Sequence, residues 1–574
     1  MQPIAHAPSG ALQIARRFVS LLHHVHAKEF LSPEEHAHVL RALFVLGQIS
    51  RFGADALEDS GEDDISPASL LCLFRHFLRR SGGSEFNIKR IALQACGYIF
   101  VSRPRLMLSP DNDFGKASMD GIMCAALSRS SESGIKEQVL QNLAEFFREE
   151  ENKLLVPTRD EAVQDVYSGK VETEIISKAN TPKITPHGDQ RLCPGHHSQT
   201  QEHDRILLQG RFQIVNGERE SNLSNGLAQR YWPHILQLCV DSDASVRLQA
   251  LHLVEVVLRQ GLVHPMSCFP HLIALQADPN NNIQKLALQM LRHQRGRYPD
   301  FFDNQLSAGM QMMFEFCRRL LHALRRANDD NQTCSDQEAI KVANADDVSR
   351  GCANIYKLLH QNRNSRLKFI HAILRRFEGA ASRSEIPYLC FLANVVSLLP
   401  YTTNDEVMYV VFHLNRIVSL RAAILHDALR RHLEEFGRLA AGKITKVDDS
   451  ARRDVELSTI LSLILVLKQY FVRYFELTDS RIHAYKPSQP LKTSEILRCN
   501  RVNDHLDVSW VDPTAGNDLS GSIRQANIFF ALMNENADHQ PSLQCVNRSE
   551  QVETVDYEDV GRKTNSEGQL LLLE

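Results

Sequence analysis

The sequence contains few aromatic residues and no long apolar run. Phe, Trp and Tyr make up 7% of its 574 residues, and the abundance of Leu, Ala, Arg and Glu favours helices over sheets. The longest apolar stretch, Leu457–Leu467, is interrupted by Ser and Thr and is far shorter than the ~18 residues that a membrane span needs. The N-terminus lacks the charged-then-apolar order of a signal segment. We therefore expect a helical protein with no membrane partner.

The 12 cysteines are scattered, and no C-x-x-C pair occurs among them. Several occupy apolar positions of predicted helices, as Cys96 and Cys239 do. This usage is typical of reduced, buried thiols in the cytosol or nucleus.

Motifs that would indicate an active site are also lacking. The sequence has no G-x-x-x-x-G-K-[ST], G-x-G-x-x-G, G-x-S-x-G or H-E-x-x-H. The side chains of Cys193, His196, His197 and His203 are of the types that bind metals. They lie in a polar segment that contains no cysteine pair, which favours a solvated linker over a zinc site. We expect no catalytic residue, no metal and no cofactor.

The net charge of −4 conceals an uneven distribution of charge. From Pro513 to the end there are 10 acidic and 4 basic residues, which leaves 59 acidic and 61 basic residues in the body of the chain. A near-neutral body with an acidic tail excludes a histone-like, purely electrostatic nucleic-acid binder.

Two segments align without a gap, one beginning at Tyr231 (YWPHILQLCVDSDASVRLQALHLVEVVL) and one at Cys268 (CFPHLIALQADPNNNIQKLALQMLRHQ). Pro233 matches Pro270, and equivalent residues lie 37 positions apart. A fixed period of this size, with two helices in each unit, is the signature of an α-solenoid. We expect the proline to open the first helix of each unit and an Asp/Asn-rich turn to cap the second.

Similar second helices are predicted upstream at 38–52, 87–101 and 135–147, because apolar residues recur there at helical spacing. The predicted fold class is therefore an all-α, HEAT-repeat α-solenoid. Unrelated amphipathic helices in a globular domain are the alternative.

Composition and periodicity divide the chain into four parts. We predict HEAT-like repeats over 1–155, a mostly disordered polar insertion over 156–228, a C-terminal HEAT domain over 229–485, and an irregular acidic tail over 486–574. A strongly apolar helix at 455–475 is predicted to lie in the last core.

The second half of the chain contains a collinear series of short sequence motifs that resembles a known family. They are RQGLVHP (259–265), PHLIALQADP (270–279), GMQMMF (309–314), NIYKLLHQNRNSRLKFIHAILRRFE (354–378) and LLPYTTNDEVMYVVFHLNRIVS (398–419). Over roughly 225–490 the sequence is similar to the C-terminal part of the Nipped-B-type sister chromatid cohesion proteins, which form the large subunit of the cohesin loader.

The resemblance implies a hook-shaped solenoid that acts in the nucleus on chromatin and is not an enzyme. It implies binding to double-stranded DNA and to cohesin, through the kleisin subunit and the SMC ATPase heads, and stimulation of the cohesin ATPase. The family's TPR-type partner subunit is not expected to bind this chain, since the N-terminal segment that holds it is absent. A HEAT-repeat transport or trafficking adaptor that binds peptide segments is the alternative function.

The segment 285–376 is the most basic part of the chain, with 16 Lys/Arg against 9 Asp/Glu. Arginine at helical spacing can bind phosphates through two hydrogen bonds, so we predict a DNA-binding set there. Contacts to cohesin, or a plain solvated surface, are the alternatives. The predicted DNA-binding residues are Arg292, Arg295, Arg297, Arg318, Arg319, Arg363, Arg366, Lys368, Arg375 and Arg376.

Overall fold

The structure is a computed structural model that describes residues 8–28, 30–79, 85–107, 119–128, 132–155, 218–327, 346–380, 382–441, 448–489 and 506–538. All regular structure in these ranges is helical, and they contain no strand. This agrees with the predicted all-α class. The chain divides into two compact units, Met1–Pro265 and Met266–Glu574, and each unit is described by itself.

The first unit is a series of paired helices. They are α1 (Pro8–His26), α2 (Pro33–Phe52), α3 (Ala54–Asp59), α4 (Pro67–Leu78), α5 (Phe86–Ser102), α6 (Met119–Ala126), α7 (Ser133–Leu155), α8 (Glu218–Leu238) and α9 (Ala244–Arg259). The second helices α2, α5, α7 and α9 pack side by side in that order, and α1, α4, α6 and α8 each contact the second helix of their own pair. This is the two-layer arrangement of a helical repeat array.

The second helices are parallel and in register. Glu137 of α7 accepts a hydrogen bond from Ser245 of α9, and about four turns later Glu151 accepts one from Arg259 at 3.0 Å. Both pairs are separated by 108 residues, which is what two parallel helices of equal rise require. The predicted domain boundary at 229 falls between α7 and α9 along the sequence, but the two helices pack against each other in the structure.

Glycine allows the second helices to approach closely. A Cβ atom on Gly47 of α2 would lie 2.9 Å from Cα of Ala95 on α5, and one on Gly97 of α5 would lie 2.3 Å from the Asn142 side chain on α7. Real Cβ atoms do not tolerate such contacts, so these glycines fix the spacing of the layer.

The second unit continues with helices in the same pattern. They are α10 (Phe269–Ala274), α11 (Asn281–Arg297), α12 (Pro299–Ala327), α13 (Asp346–Leu359), α14 (Arg363–Gly379), α15 (Ile386–Leu398), α16 (Asn404–Ala441), α17 (Asp449–Tyr474), α18 (Asp479–Ala484) and α19 (Leu519–Asp538). Helix α12 packs on α10 and α14, α14 packs on α16, and α17 packs against α15, α16 and α19. The predicted apolar helix at 455–475 is α17, and it lies in the core: Leu461, Ile464 and Leu467 are at most 1% exposed.

The turns that lead into the second helices confirm the predicted caps. Asp243 accepts a hydrogen bond from the backbone N–H of Ser245 at 2.9 Å, and Asn280 accepts one from Asn282 at 2.9 Å. Such side chains satisfy a first-turn N–H group that has no partner within the helix.

The prediction that proline opens the first helix of each repeat is confirmed for Pro270 and wrong for Pro233. Pro270 lies in the first turn of α10, where its missing N–H costs nothing. Pro233 instead lies inside α8, which begins fifteen residues earlier at Glu218. The helix continues through the proline because its neighbours are held in the core: Tyr231 and Ile235 are fully buried.

The predicted second helices at 38–52, 87–101 and 135–147 are confirmed as α2, α5 and α7. The prediction of an irregular tail from 486 is wrong for 519–538, which form α19. Phe529 and Ala526 of α19 are fully buried and α19 packs on α17, so tertiary contact stabilises a helix whose apolar periodicity is weak. The prediction of a mostly disordered insertion over 156–228 is wrong for 218–228, which form the start of α8. Residues 156–217, with the Cys/His cluster, and the tail beyond 538 lie outside the described residues.

Two described helices, α16 and α17, are long and apolar enough to cross a membrane by length and composition alone. In α17 the most apolar 18-residue window is 72% buried by the protein itself, as in the core helix of a helical domain; in α16 the figure is 44%.

Gly261 ends α9 in the left-handed region of backbone space, with φ of +71°. Its N–H donates to Leu258 O and the N–H of Leu262 donates to Val257 O, which closes the helix. Nothing lies within 4 Å of the position of a Cβ at Gly261, so the cost of a side chain there is conformational.

We therefore expect Gly261→Val to lower the free energy of unfolding by roughly 1 kcal/mol or more, because a β-branched residue is strained at positive φ. Gly261→Asn, which tolerates this region better, should lose less. Urea unfolding monitored by circular dichroism measures both, and equal midpoints for the valine variant and the parent would contradict the assignment.

Candidate nucleic-acid interface

The structure places the predicted DNA-binding residues on three helices of the second unit, α11, α12 and α14. Arg292 and Arg297 of α11 are exposed and Arg295 is half-buried. Neither Arg292 nor Arg297 forms an ion pair with another described residue. These two guanidinium groups are therefore available to solvent or to a ligand.

The arginines of α12 contact their own helix. Arg318 is exposed, and its guanidinium carbon lies 6.0 Å from the centroid of the Phe314 ring. Arg319 forms an ion pair at 3.4 Å with Glu315, which lies one turn earlier in the helix. The ion pair between Arg319 and Glu315 offsets part of the positive charge of this helix.

Helix α14 separates its cations into two faces. Lys368 and Arg375, seven residues apart, lie on one exposed face and form no ion pair with a described residue. Arg376 is exposed and donates to Ser307 Oγ of α12 at 3.3 Å. The predicted apolar stripe between the cations is confirmed: Phe369, Ile370, Ile373 and Leu374 are at most 2% exposed.

Arg366 is a structural residue. It is 8% exposed, and its Nε donates to Glu406 Oε1 of α16 at 2.6 Å while Nη1 donates to the carbonyl of His360. A guanidinium that is buried and bound in this way is not exposed to a phosphate, so Arg366 is not a candidate for a DNA contact.

Glu406, the partner of Arg366, is fully buried. Its carboxylate also accepts from Tyr356 Oη at 2.9 Å and from the backbone N–H of Thr402 at 3.0 Å. Burial first, and then the Glu406 charge, raise the pKa of Tyr356, so this phenol remains a hydrogen-bond donor. A buried charge is tolerated only when it is paired and its lone pairs are occupied, and Glu406 meets both conditions.

Arg363 makes a second ion pair beside the first. Its Nε donates to Asp405 Oδ2 at 2.9 Å, and the Asp405 side chain is 7% exposed while that of Arg363 is 36% exposed. Tyr485 Oη donates to Asp405 Oδ1 at 3.2 Å. Since its charge is offset by Asp405, Arg363 is a weaker candidate for a phosphate contact than Lys368.

The repeat register could have identified Arg366 as structural. Arg366 lies four residues after Asn362, whose side chain caps α14. In the first unit Arg247 lies four residues after the cap Asp243, is 2% exposed, and donates to the carbonyls of Asp241 and Ser242 at 3.0 and 2.9 Å. The position therefore carries an arginine that holds the turn.

An aromatic cluster joins α14 to α16 next to the exposed cations. The His371 and His413 rings are 5.0 Å apart, and Tyr409 and His413 are 4.4 Å apart, centroid to centroid. Burial first, and then His371 and Arg416, lower the pKa of His413 to about 4, so it adds no positive charge at neutral pH. Among the described residues no group of three or more His, Cys, Asp or Glu side chains is arranged to hold a metal ion.

We expect Glu406→Gln to lower the free energy of unfolding by about 3 kcal/mol, because it leaves the Arg366 guanidinium buried without a counter-charge. Tyr356→Phe, which removes one hydrogen bond, should cost about 1 kcal/mol. Denaturant unfolding provides both values.

Adding Arg366→Met to Glu406→Gln should recover much of the loss, since the buried cation is then gone. If Glu406→Gln unfolds at the parental midpoint, the pair does not stabilise the fold as described.

Comparison with known proteins identifies the segment that carries these cations. Residues 224–417 match the family described as sister chromatid cohesion C-terminus, and all ten predicted DNA-binding residues fall within this range. The Nipped-B-like protein of Mus musculus is 23% identical over 398 residues, which are 69% of this chain and 12% of that protein. The sister chromatid cohesion protein mis4 of Schizosaccharomyces pombe is 19% identical over 283 residues, which are 48% of this chain and 16% of that protein.

Among solved structures, the C-terminal fragment of the Chaetomium thermophilum cohesin loader SCC2 is similar with a TM-score of 0.54 and 12% identity, over 96% of this chain and 32% of that fragment. At this identity the likeness concerns the fold, and it confirms the predicted helical solenoid. The chain spans only about an eighth of the length of the Nipped-B-like proteins that it matches. The chain is thus similar to the Nipped-B-type sister chromatid cohesion proteins, and its residues 224–417 match the C-terminus of that family.

Proposed function

We propose that this chain is a non-enzymatic scaffold that promotes the loading of cohesin onto chromatin in the nucleus. The match of residues 224–417 to the sister chromatid cohesion C-terminus carries the proposal. The name of the Schizosaccharomyces pombe relative supports it, since it describes a sister chromatid cohesion protein, and so does the name of the fold neighbour, which describes a cohesin loader.

Cohesin is the protein partner in this proposal, through its kleisin subunit and its SMC ATPase heads. Side-by-side second helices give a repeat protein an extended binding surface. A scaffold of this kind acts by holding the ATPase heads and DNA together, so that its contribution is one of positioning.

Double-stranded DNA is the second partner. Lys368 and Arg375 are the first candidates for phosphate contacts, because they are exposed, lie on one face of α14 and form no ion pair with a described residue. Arg292 and Arg297 of α11 are the next. Long cationic side chains reach phosphates without reading bases, so the binding is expected to be indifferent to sequence.

The scaffold role predicts the effect of the chain on cohesin itself. Added to purified cohesin and duplex DNA, the chain should raise the rate of ATP hydrolysis several-fold, because positioning favours the productive arrangement of the heads. The chain alone should hydrolyse no ATP. An unchanged cohesin rate would contradict the loader role, and hydrolysis by the chain alone would contradict a non-enzymatic scaffold.

The DNA role predicts the salt dependence of binding. Replacing Lys368 and Arg375 together with Gln should lower the slope of log affinity against log salt by about 1.8, since each phosphate contact contributes about 0.9. Fluorescence anisotropy with a labelled duplex at several salt concentrations measures the slope.

Two controls separate this effect from a general loss of charge or fold. Replacing Arg41 and Arg90 of the first unit, both exposed, with Gln removes the same charge elsewhere and should leave the slope unchanged. Arg366→Gln should lower stability and leave the slope unchanged. Parental affinity and slope in the Lys368/Arg375 variant would move the DNA contacts to other residues.

A further inference from the structure

Helix α16 exposes apolar side chains beyond the end of its neighbour α14. Leu420 is 60% exposed and Ile424 is 74% exposed. The Arg421 guanidinium donates to the carbonyls of Glu378 and Ala380 at 3.1 Å, so α14 ends level with Arg421. From there onward α14 no longer covers this face of α16.

The exposed residues of this face are placed symmetrically along the helix. Between 416 and 427 they are Arg416, Ser419, Leu420, Ala423, Ile424 and Asp427. Residues 416, 420, 423 and 427 follow one another at intervals of four, three and four, which is the spacing of a coiled-coil seam and keeps them on one stripe of the helix. The spacing reads the same in both directions about a point between Arg421 and Ala422.

The charges at the two ends of the stripe are opposite, so they would attract each other if a second copy of the helix were paired antiparallel to the first. Arg416 stands at one end and Asp427 at the other, with side chains 52% and 79% exposed. In an antiparallel pair of identical helices centred between Arg421 and Ala422, Arg416 of each copy lies opposite Asp427 of the other. Leu420 then lies opposite Ala423, and Ser419 opposite Ile424.

We propose that the stripe of α16 from Arg416 to Asp427 is a self-association surface that binds the same stripe of a second copy of this chain. In a two-fold dimer, each contact between two residues occurs twice, with the roles of the two copies exchanged. The spacing of this stripe gives every exposed residue in it such a pair of contacts. The apolar centre supplies the burial, and the two Arg416–Asp427 pairs fix the antiparallel direction.

The present contacts of the charged residues do not oppose this pairing. Arg416 lies 3.3 Å from Glu378, and Asp427 lies 3.4 Å from His426; exposed pairs of this kind contribute little and can be exchanged or shared. His413, one turn before Arg416, has a pKa lowered to about 4 and is neutral at pH 7. A seam of twelve residues buries less than a standard interface, so the dimer is expected to be weak and dependent on concentration.

Sedimentation equilibrium of the full chain tests the surface. The weight-average mass of the parent should rise towards that of a dimer as concentration increases, and the Leu420→Glu/Ile424→Glu variant should remain a monomer. Leu324→Glu is the matched control, because Leu324 is a 65% exposed apolar residue on α12 of the same unit; it should leave association unchanged. A parent that is monomeric at every concentration, or a dimer that persists in the Leu420/Ile424 variant, would overturn the proposal.

A charge exchange tests the antiparallel register and guards against misfolding. Arg416→Asp and Asp427→Arg should each weaken self-association about tenfold or more, since like charges then face each other. An equimolar mixture of the two variants should associate as the parent does, because both opposite-charge pairs are restored in the heterodimer. Failure of the mixture, with both variants folded by circular dichroism, would overturn the pairing, whatever the outcome of the DNA and ATPase experiments.

Discussion

The turns that precede α9, α11 and α14 share one constraint, since each has carbonyl groups whose donor is a side chain of the helix that follows. Buried carbonyls without donors are costly. The chain satisfies them with the side chain four residues after the helix cap: Arg247 in the first unit, and Gln284 and Arg366 in the second. These side chains are 2%, 5% and 8% exposed, so each is enclosed with the turn that it stabilises.

This constraint divides the basic residues of the second unit into two kinds. Arg366 is buried with the turn, and its charge is offset by Glu406, which is buried at the start of α16. Lys368 and Arg375 do not stabilise the turn, and both are exposed. A count of 16 basic residues in 285–376 therefore overstates the charge that a DNA molecule would meet.

The parallel packing of second helices also explains where α16 is left uncovered. Ion pairs join the starts of α14 and α16 at Arg363–Asp405 and Arg366–Glu406, and Arg416 meets Glu378 near the end of α14. Helix α16 is much longer than α14, so its second half extends beyond this contact. The same register that stabilises the unit produces the exposed stripe that we propose as a self-association surface.

The sequence by itself determined the features that depend on neighbours along the chain. Local hydrogen bonding, backbone conformation and helical periodicity predict the caps Asp243 and Asn280, the left-handed Gly261 and the buried stripe of α14. The collinear sequence motifs between 225 and 490 indicated the family. Only the tertiary structure decided which arginines are free, that Pro233 lies within a helix and that 519–538 form one. Each of these depends on a partner distant in sequence: Glu406 for Arg366, the surrounding core for α8, and α17 for α19. A residue's charge or propensity cannot show whether such a partner will be there.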